Sequence, residues 1–135
     1  MKSVIAGVTS LFALLAVSQA ATASSLEKAL DAYVDGLRTG DVQTLNKLFF
    51  SDGQFCLNRQ AEISCSSFAD VLPSWVAKPD PKTRGRIISQ EAVGESMARV
   101  TYGLEFNGTS YVDYLLLYQK DGHWVVVAKT TFIKE

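Results

Sequence analysis

The sequence has one histidine, His123, and two cysteines, Cys56 and Cys65. An imidazole and two thiols fall short of the four ligands of an ordinary structural zinc site. Three prolines and nine glycines exclude a collagen-like or low-complexity chain. Neither charge sign dominates: thirteen basic against fourteen acidic side chains give −1, which excludes a whole-chain electrostatic footprint for nucleic acid. No glycine-rich phosphate cradle is present. What is there is 135 residues, 47% apolar and 20% charged, the composition and length of one globular domain.

The chain opens as an address. Met1-Lys2-Ser3 is a short positive start, and Val4 to Val17 is an apolar run broken only by Gly7, Thr9 and Ser10. The run is shorter than the ~20 residues of a membrane span. Small residues follow, so residues 1–23 are predicted to be a signal peptide cleaved after Ala20 or Ala23. A bacterial periplasmic or secreted location follows, with no stable membrane anchor after cleavage. In an oxidising compartment Cys56 and Cys65 are expected to bridge. A redox pair would more typically be spaced Cys-x-x-Cys.

Behind the address the pattern runs from helices to strands. Ser24-x-x-Glu27 resembles a capping box, and Leu26, Leu30, Tyr33 and Leu37 recur at helical spacing up to Gly40. Asp41 caps a second predicted helix carrying Val42, Leu45, Leu48 and Phe49. A short hairpin around Phe55 to Ile63 carries the cysteines. Phe68, Val71, Leu72, Trp75 and Val76 mark a third helix, which Pro73 is expected to kink or shorten. Four strands are predicted at Arg86–Val93, Ser96–Phe106, Thr109–Lys120 and His123–Ile133. Asn107-Gly108 and Asp121-Gly122 are strong two-residue hairpin signals.

Those two turns imply a register. Tyr102 faces Asp113, Leu104 faces Tyr111, Leu117 faces Val126, Leu115 faces Ala128, and Asp113 faces Thr130. Side chains alternate between faces. One face then carries Tyr102, Leu104, Tyr111, Asp113, Leu115, Trp124, Thr130 and Phe132, apolar except for the row Tyr102, Asp113, Thr130. The other carries Tyr114, Leu116, Tyr118, Val125 and Val127, an apolar patch too large for a solvent face. A homodimer through that second face is expected, and Lys129 falls on it as an interface or surface residue. His123, beside its turn, is expected to face water. Arg84 and Arg86 stand where they can meet an anion at the rim.

Tyr33-Val34-Asp35-Gly36-Leu37-Arg38-Thr39-Gly40-Asp41 resembles the first-helix signature of the NTF2-like superfamily. Tyr111 to Leu117, followed by Asp121 to Lys129, resembles its terminal hairpin. Within that superfamily the chain is most similar to the small bacterial proteins grouped as "Putative lumazine-binding", close to the SnoaL-like group. The resemblance implies an α+β cone over residues 24–135, with three N-terminal helices packed on a curled antiparallel sheet. It also implies a ligand pocket between the helices and the concave face, with Tyr33 and Trp75 as walls.

Three functions fit. The first is an exported binding protein for a small, partly apolar or aromatic molecule, with no cofactor or metal. The second is an isomerase-, lyase- or hydrolase-type enzyme in which Asp113, its pKa raised by desolvation, acts as acid or base and Tyr102 donates to an oxyanion. The third is a homodimeric interaction module with a vestigial pocket. Asp113 also has a plain structural role open to it, as the acceptor of a cross-strand hydrogen-bond network.

Overall fold

The computed structural model describes residues 25–134; the predicted signal peptide lies outside them. Residues 25–39 form helix α1. It buries Leu26, Leu30, Tyr33 and Leu37, each 1% exposed, the stripe expected of an amphipathic helix. Gly40, at φ +72°, ends it. Asp41 then accepts from the amides of Gln43 and Thr44 and starts helix α2, Val42–Leu48. Phe49 does not continue that helix. It turns extended and opens strand β1, Phe49–Arg59.

Strand β2, Glu62–Ser67, returns antiparallel through Gln60-Ala61, both at positive φ. Cys56 and Cys65 face each other across this hairpin with Cα atoms 4.1 Å apart and are joined by a disulfide. Ser67 caps helix α3, Phe68–Trp75, which contains Pro73 and ends before Val76. Strands β3 (Arg84–Val93), β4 (Met97–Phe106), β5 (Thr109–Lys120) and β6 (His123–Lys134) complete a six-stranded sheet ordered β2-β1-β6-β5-β4-β3.

Two features depart from the expected cone. The third helix is not N-terminal, because the β1–β2 hairpin precedes it. The sheet is mixed rather than antiparallel, because β1 leaves α2 in the direction that makes it parallel to β6. The core is one cluster in which α1, α2 and α3 pack on the concave face around Tyr33, Phe49, Phe68, Leu72, Leu115 and Val126.

The register between β4 and β5 is the expected one, including Tyr102 opposite Asp113 and Leu104 opposite Tyr111. Asn107 and Gly108, at φ 50° and 77°, form the left-handed turn this requires. The β5–β6 register is as expected only near its turn. Leu117 pairs with Val126, but Leu116 pairs with Ala128, so Val127 is an extra residue in β6. Beyond this bulge Leu115 pairs with Lys129 and Asp113 with Thr131. A one-residue shift exchanges the faces of every following side chain. Lys129, Thr131 and Ile133 therefore belong to the concave face. Thr130 and Phe132, expected there, lie on the outer one.

Candidate functional site

The bulge decides what the concave face presents. A cavity of about 280 Å³ opens between α1, α3 and the ends of β1, β4, β5 and β6. Tyr33 and Leu37 come from α1, Val71 and Trp75 from α3, Phe55, Leu57 and Arg59 from β1. Leu104, Phe106, Tyr111, Lys129, Thr131 and Ile133 from the later strands, with Ser74 from α3, complete the lining. Most of these walls are apolar or aromatic, and Phe55 stands edge-on to Trp75 with centroids 5.3 Å apart. A small concave site of this kind, with a few convergent polar groups, is the usual form of a ligand pocket.

Asp113 anchors the polar part. It is fully buried and accepts from the Tyr33 hydroxyl at 3.0 Å and the Thr131 hydroxyl at 2.6 Å. Lys129 Nζ lies 3.4 Å from Asp113 Oδ1 and donates to Thr131 Oγ1 at 2.9 Å. The ammonium also sits 4.4 Å from the Phe55 ring centroid and 4.5 Å from that of Trp75, within cation–π range. Such partners are what a charge buried this deeply needs. Burial pushes the Lys129 amine below its usual value, while Asp113 partly restores it. Burial, reinforced by Asp113, holds the Tyr33 phenol well above its usual value. Burial also raises Tyr102 to about 12, with smaller contributions from Asp31 and Asp113.

The expected site residues separate into groups. Tyr33, Trp75, Leu104 and Tyr111 line the cavity. Asp113 and Leu115 lie buried beneath its wall. Tyr102 stacks on Tyr33 at 5.8 Å and turns its hydroxyl against Gly85, away from the lining. Trp124 is in the core, where its indole donates to Ser25 at 2.9 Å, beside the start of α1. Thr130 is exposed, and Phe132 is 66% exposed. Lys129, expected at an interface, is instead the charged group set between the aromatic walls. Arg59 and Thr131 also line the site without having been singled out in the sequence. His123 is exposed, and Arg84 is paired with Glu105 at 2.5 Å.

The family model described as "Putative lumazine-binding" matches residues 21–131. The chain belongs to this family. No match is found among curated proteins.

Among solved structures, an NTF-2 like protein of unknown function from Silicibacter pomeroyi DSS-3 is 19% identical, with 86% of this chain and 98% of that chain covered and a TM-score of 0.78. An NTF2-like protein of unknown function from Shewanella baltica OS155 is 17% identical, with 83% and 93% covered and a TM-score of 0.75. A ketosteroid isomerase-like protein from Erwinia carotovora atroseptica SCRI1043 is 16% identical, with 83% and 95% covered and a TM-score of 0.63. At these identities the likeness is one of fold, and the fold is NTF2-like.

The outer face is apolar as expected, with altered membership. Tyr114, Leu116 and Tyr118 are 63%, 51% and 48% exposed, and the bulge adds Phe132. Val125, expected in the patch, is buried, and Val127 is half-buried. Among the described residues no helix is long and apolar enough to cross a membrane.

Proposed function

We propose that the protein is an exported binding protein whose cavity takes a small, flat, partly apolar molecule, with Lys129 and Thr131 meeting its polar end. The observation that carries this reading is the buried Lys129 ammonium set between the Phe55 and Trp75 rings on the wall of an open cavity. The rings supply apolar contact area, and a few placed polar groups supply orientation. Asp113 in this reading sets the charge of Lys129 rather than meeting the ligand, because both its oxygens are already engaged. The signal pattern of residues 1–23 and the Cys56–Cys65 disulfide support export. Native mass spectrometry of protein purified without refolding tests the proposal. A reproducible small-molecule mass, lost in Lys129→Met, is expected. A bare protein whose melting temperature is also unmoved by millimolar benzyl alcohol overturns it.

We further propose that the outer face joins two copies of the chain. Tyr114, Leu116, Tyr118 and Phe132 project from it together. The neighbouring Arg99–Glu91 pair supplies charge of both signs, which suits a surface meeting its own copy across a two-fold axis. Sedimentation of the wild type as a dimer and of Leu116→Glu as a monomer is expected; a monomeric wild type refutes it.

A further inference from the structure

We propose that Lys129 is a carbonyl-reactive amine: the cavity takes an aldehyde or ketone, and Lys129 Nζ condenses with it to an imine. The inference rests on the reading of this cavity as a small-molecule site and names the chemical class that the site takes.

Three observations select that class. Lys129 is the only lysine among the residues lining this cavity, so one primary amine is presented to whatever enters. Its surroundings are then decisive. The Phe55 and Trp75 rings flank Nζ at 4.4 and 4.5 Å, and the side chain is 5% exposed. The amine is thereby largely desolvated, which favours its neutral, nucleophilic form over an ordinary surface ammonium. The direction in which burial moves the amine's acidity agrees.

The third observation is Asp113. A carboxylate ligand would place a second anion beside an ammonium that already has one at 3.4 Å, and like charges in a buried site repel strongly. An uncharged carbonyl carries no such cost. The same carboxylate handles the protons. Thr131 Oγ1 is 2.9 Å from Nζ and 2.6 Å from Asp113 Oδ1, so a proton has a short path between amine and carboxylate. Tyr33 donates to the other oxygen at 3.0 Å and holds the carboxylate in place.

The step balances without any other reagent. Asp113 takes one proton from the ammonium, and the freed lone pair forms the carbon–nitrogen bond as the carbonyl pair moves to oxygen. Two of the original ammonium protons leave with that oxygen as water. The third stays on the protonated imine, which inherits the pairing with Asp113. Nothing is oxidised or reduced.

The test uses the full chain, benzaldehyde as the probe and sodium cyanoborohydride to fix any imine as a stable benzylamine, followed by peptide mapping. At neutral pH one benzyl group is expected on Lys129, arriving about tenfold or more faster than on any other lysine, the advantage of a desolvated amine held beside a bound carbonyl. Excess benzyl alcohol, which has the shape without the carbonyl, is expected to slow it. Lys129→Arg keeps the charge and is expected to lose the fast label while keeping the wild-type near-ultraviolet circular dichroism. Labelling spread over the lysines with Lys129 not ahead overturns the imine. If benzyl alcohol still raises the melting temperature in that case, the binding reading survives alone. If it does not, both fall.

Discussion

Replacing Asp113 by asparagine removes one charge from a buried pair and leaves its shape intact. The partners are 0% and 5% exposed and 3.4 Å apart. At an effective dielectric constant of ~20 their attraction is about 5 kcal/mol, which offsets a desolvation penalty of several kcal/mol per ion. Without the Asp113 charge the Lys129 ammonium keeps the Thr131 hydroxyl, the ring faces and a neutral amide oxygen, so a loss of about 3–5 kcal/mol is expected at neutral pH. Lys129 limits the loss by shedding its proton. In the variant the native state then binds fewer protons than the unfolded state, and stability rises with pH. That recovery should run upward in pH toward the ordinary lysine value, at no more than about 1.4 kcal/mol per unit.

Lys129→Met should cost less, about 1–3 kcal/mol, because Asp113 keeps its bonds from Tyr33 and Thr131. The double variant should be more stable than Asp113→Asn alone, since methionine packs between Phe55 and Trp75 without a charge to compensate. Urea unfolding midpoints, compared at constant slope, give these differences. Single effects that add to within about 0.5 kcal/mol, or an Asp113→Asn loss that does not change with pH, would refute the coupling.

Gly53→Ala should destabilise by about 1–3 kcal/mol, because a Cβ there lies 2.6 Å from the Val127 carbonyl and 2.7 Å from the Phe68 ring; an unchanged urea midpoint would count against close packing at the bulge. Cys56→Ser with Cys65→Ser releases a cross-link of nine-residue separation and should cost about 2–3 kcal/mol by loss of loop-closure entropy, read as a lower melting temperature in the variant. Tyr33 and Tyr102 both resist ionisation in the folded state, Tyr102 up to about 12. The unfolded state therefore loses those protons first, at about pH 10, and stability present below that pH falls as pH rises through it. Phenolate absorbance should show two of the five tyrosines ionising late, and a single titration of all five near the ordinary value would contradict their burial.

The helix stripes of α1 and α3, the Asp41 cap and the β4–β5 register were legible because each depends on neighbours in the chain. Asn107-Gly108 needs only its own backbone to form its turn, and the turn carries Tyr102 to Asp113 by counting. The face assignments on β6 were not legible in that way. Val125-Val126-Val127 is apolar whichever way the strand alternates, so its pattern does not mark an extra residue. One signal did exist. A buried Asp113 facing Thr130 has no opposite charge, whereas the shifted register brings Lys129 beside it, and an unpaired buried carboxylate is costly.

By itself, then, the sequence determined the elements, the turns and the apolar faces near those turns, since side-chain period and turn chemistry act over a few residues. The tertiary structure decided the site. The Val127 bulge forms where β1 runs parallel to β6, and its carbonyl lies against Gly53, a residue with no side chain to block it. That contact joins segments far apart in the chain, and the extra residue at the bulge turns Lys129 inward and Phe132 outward.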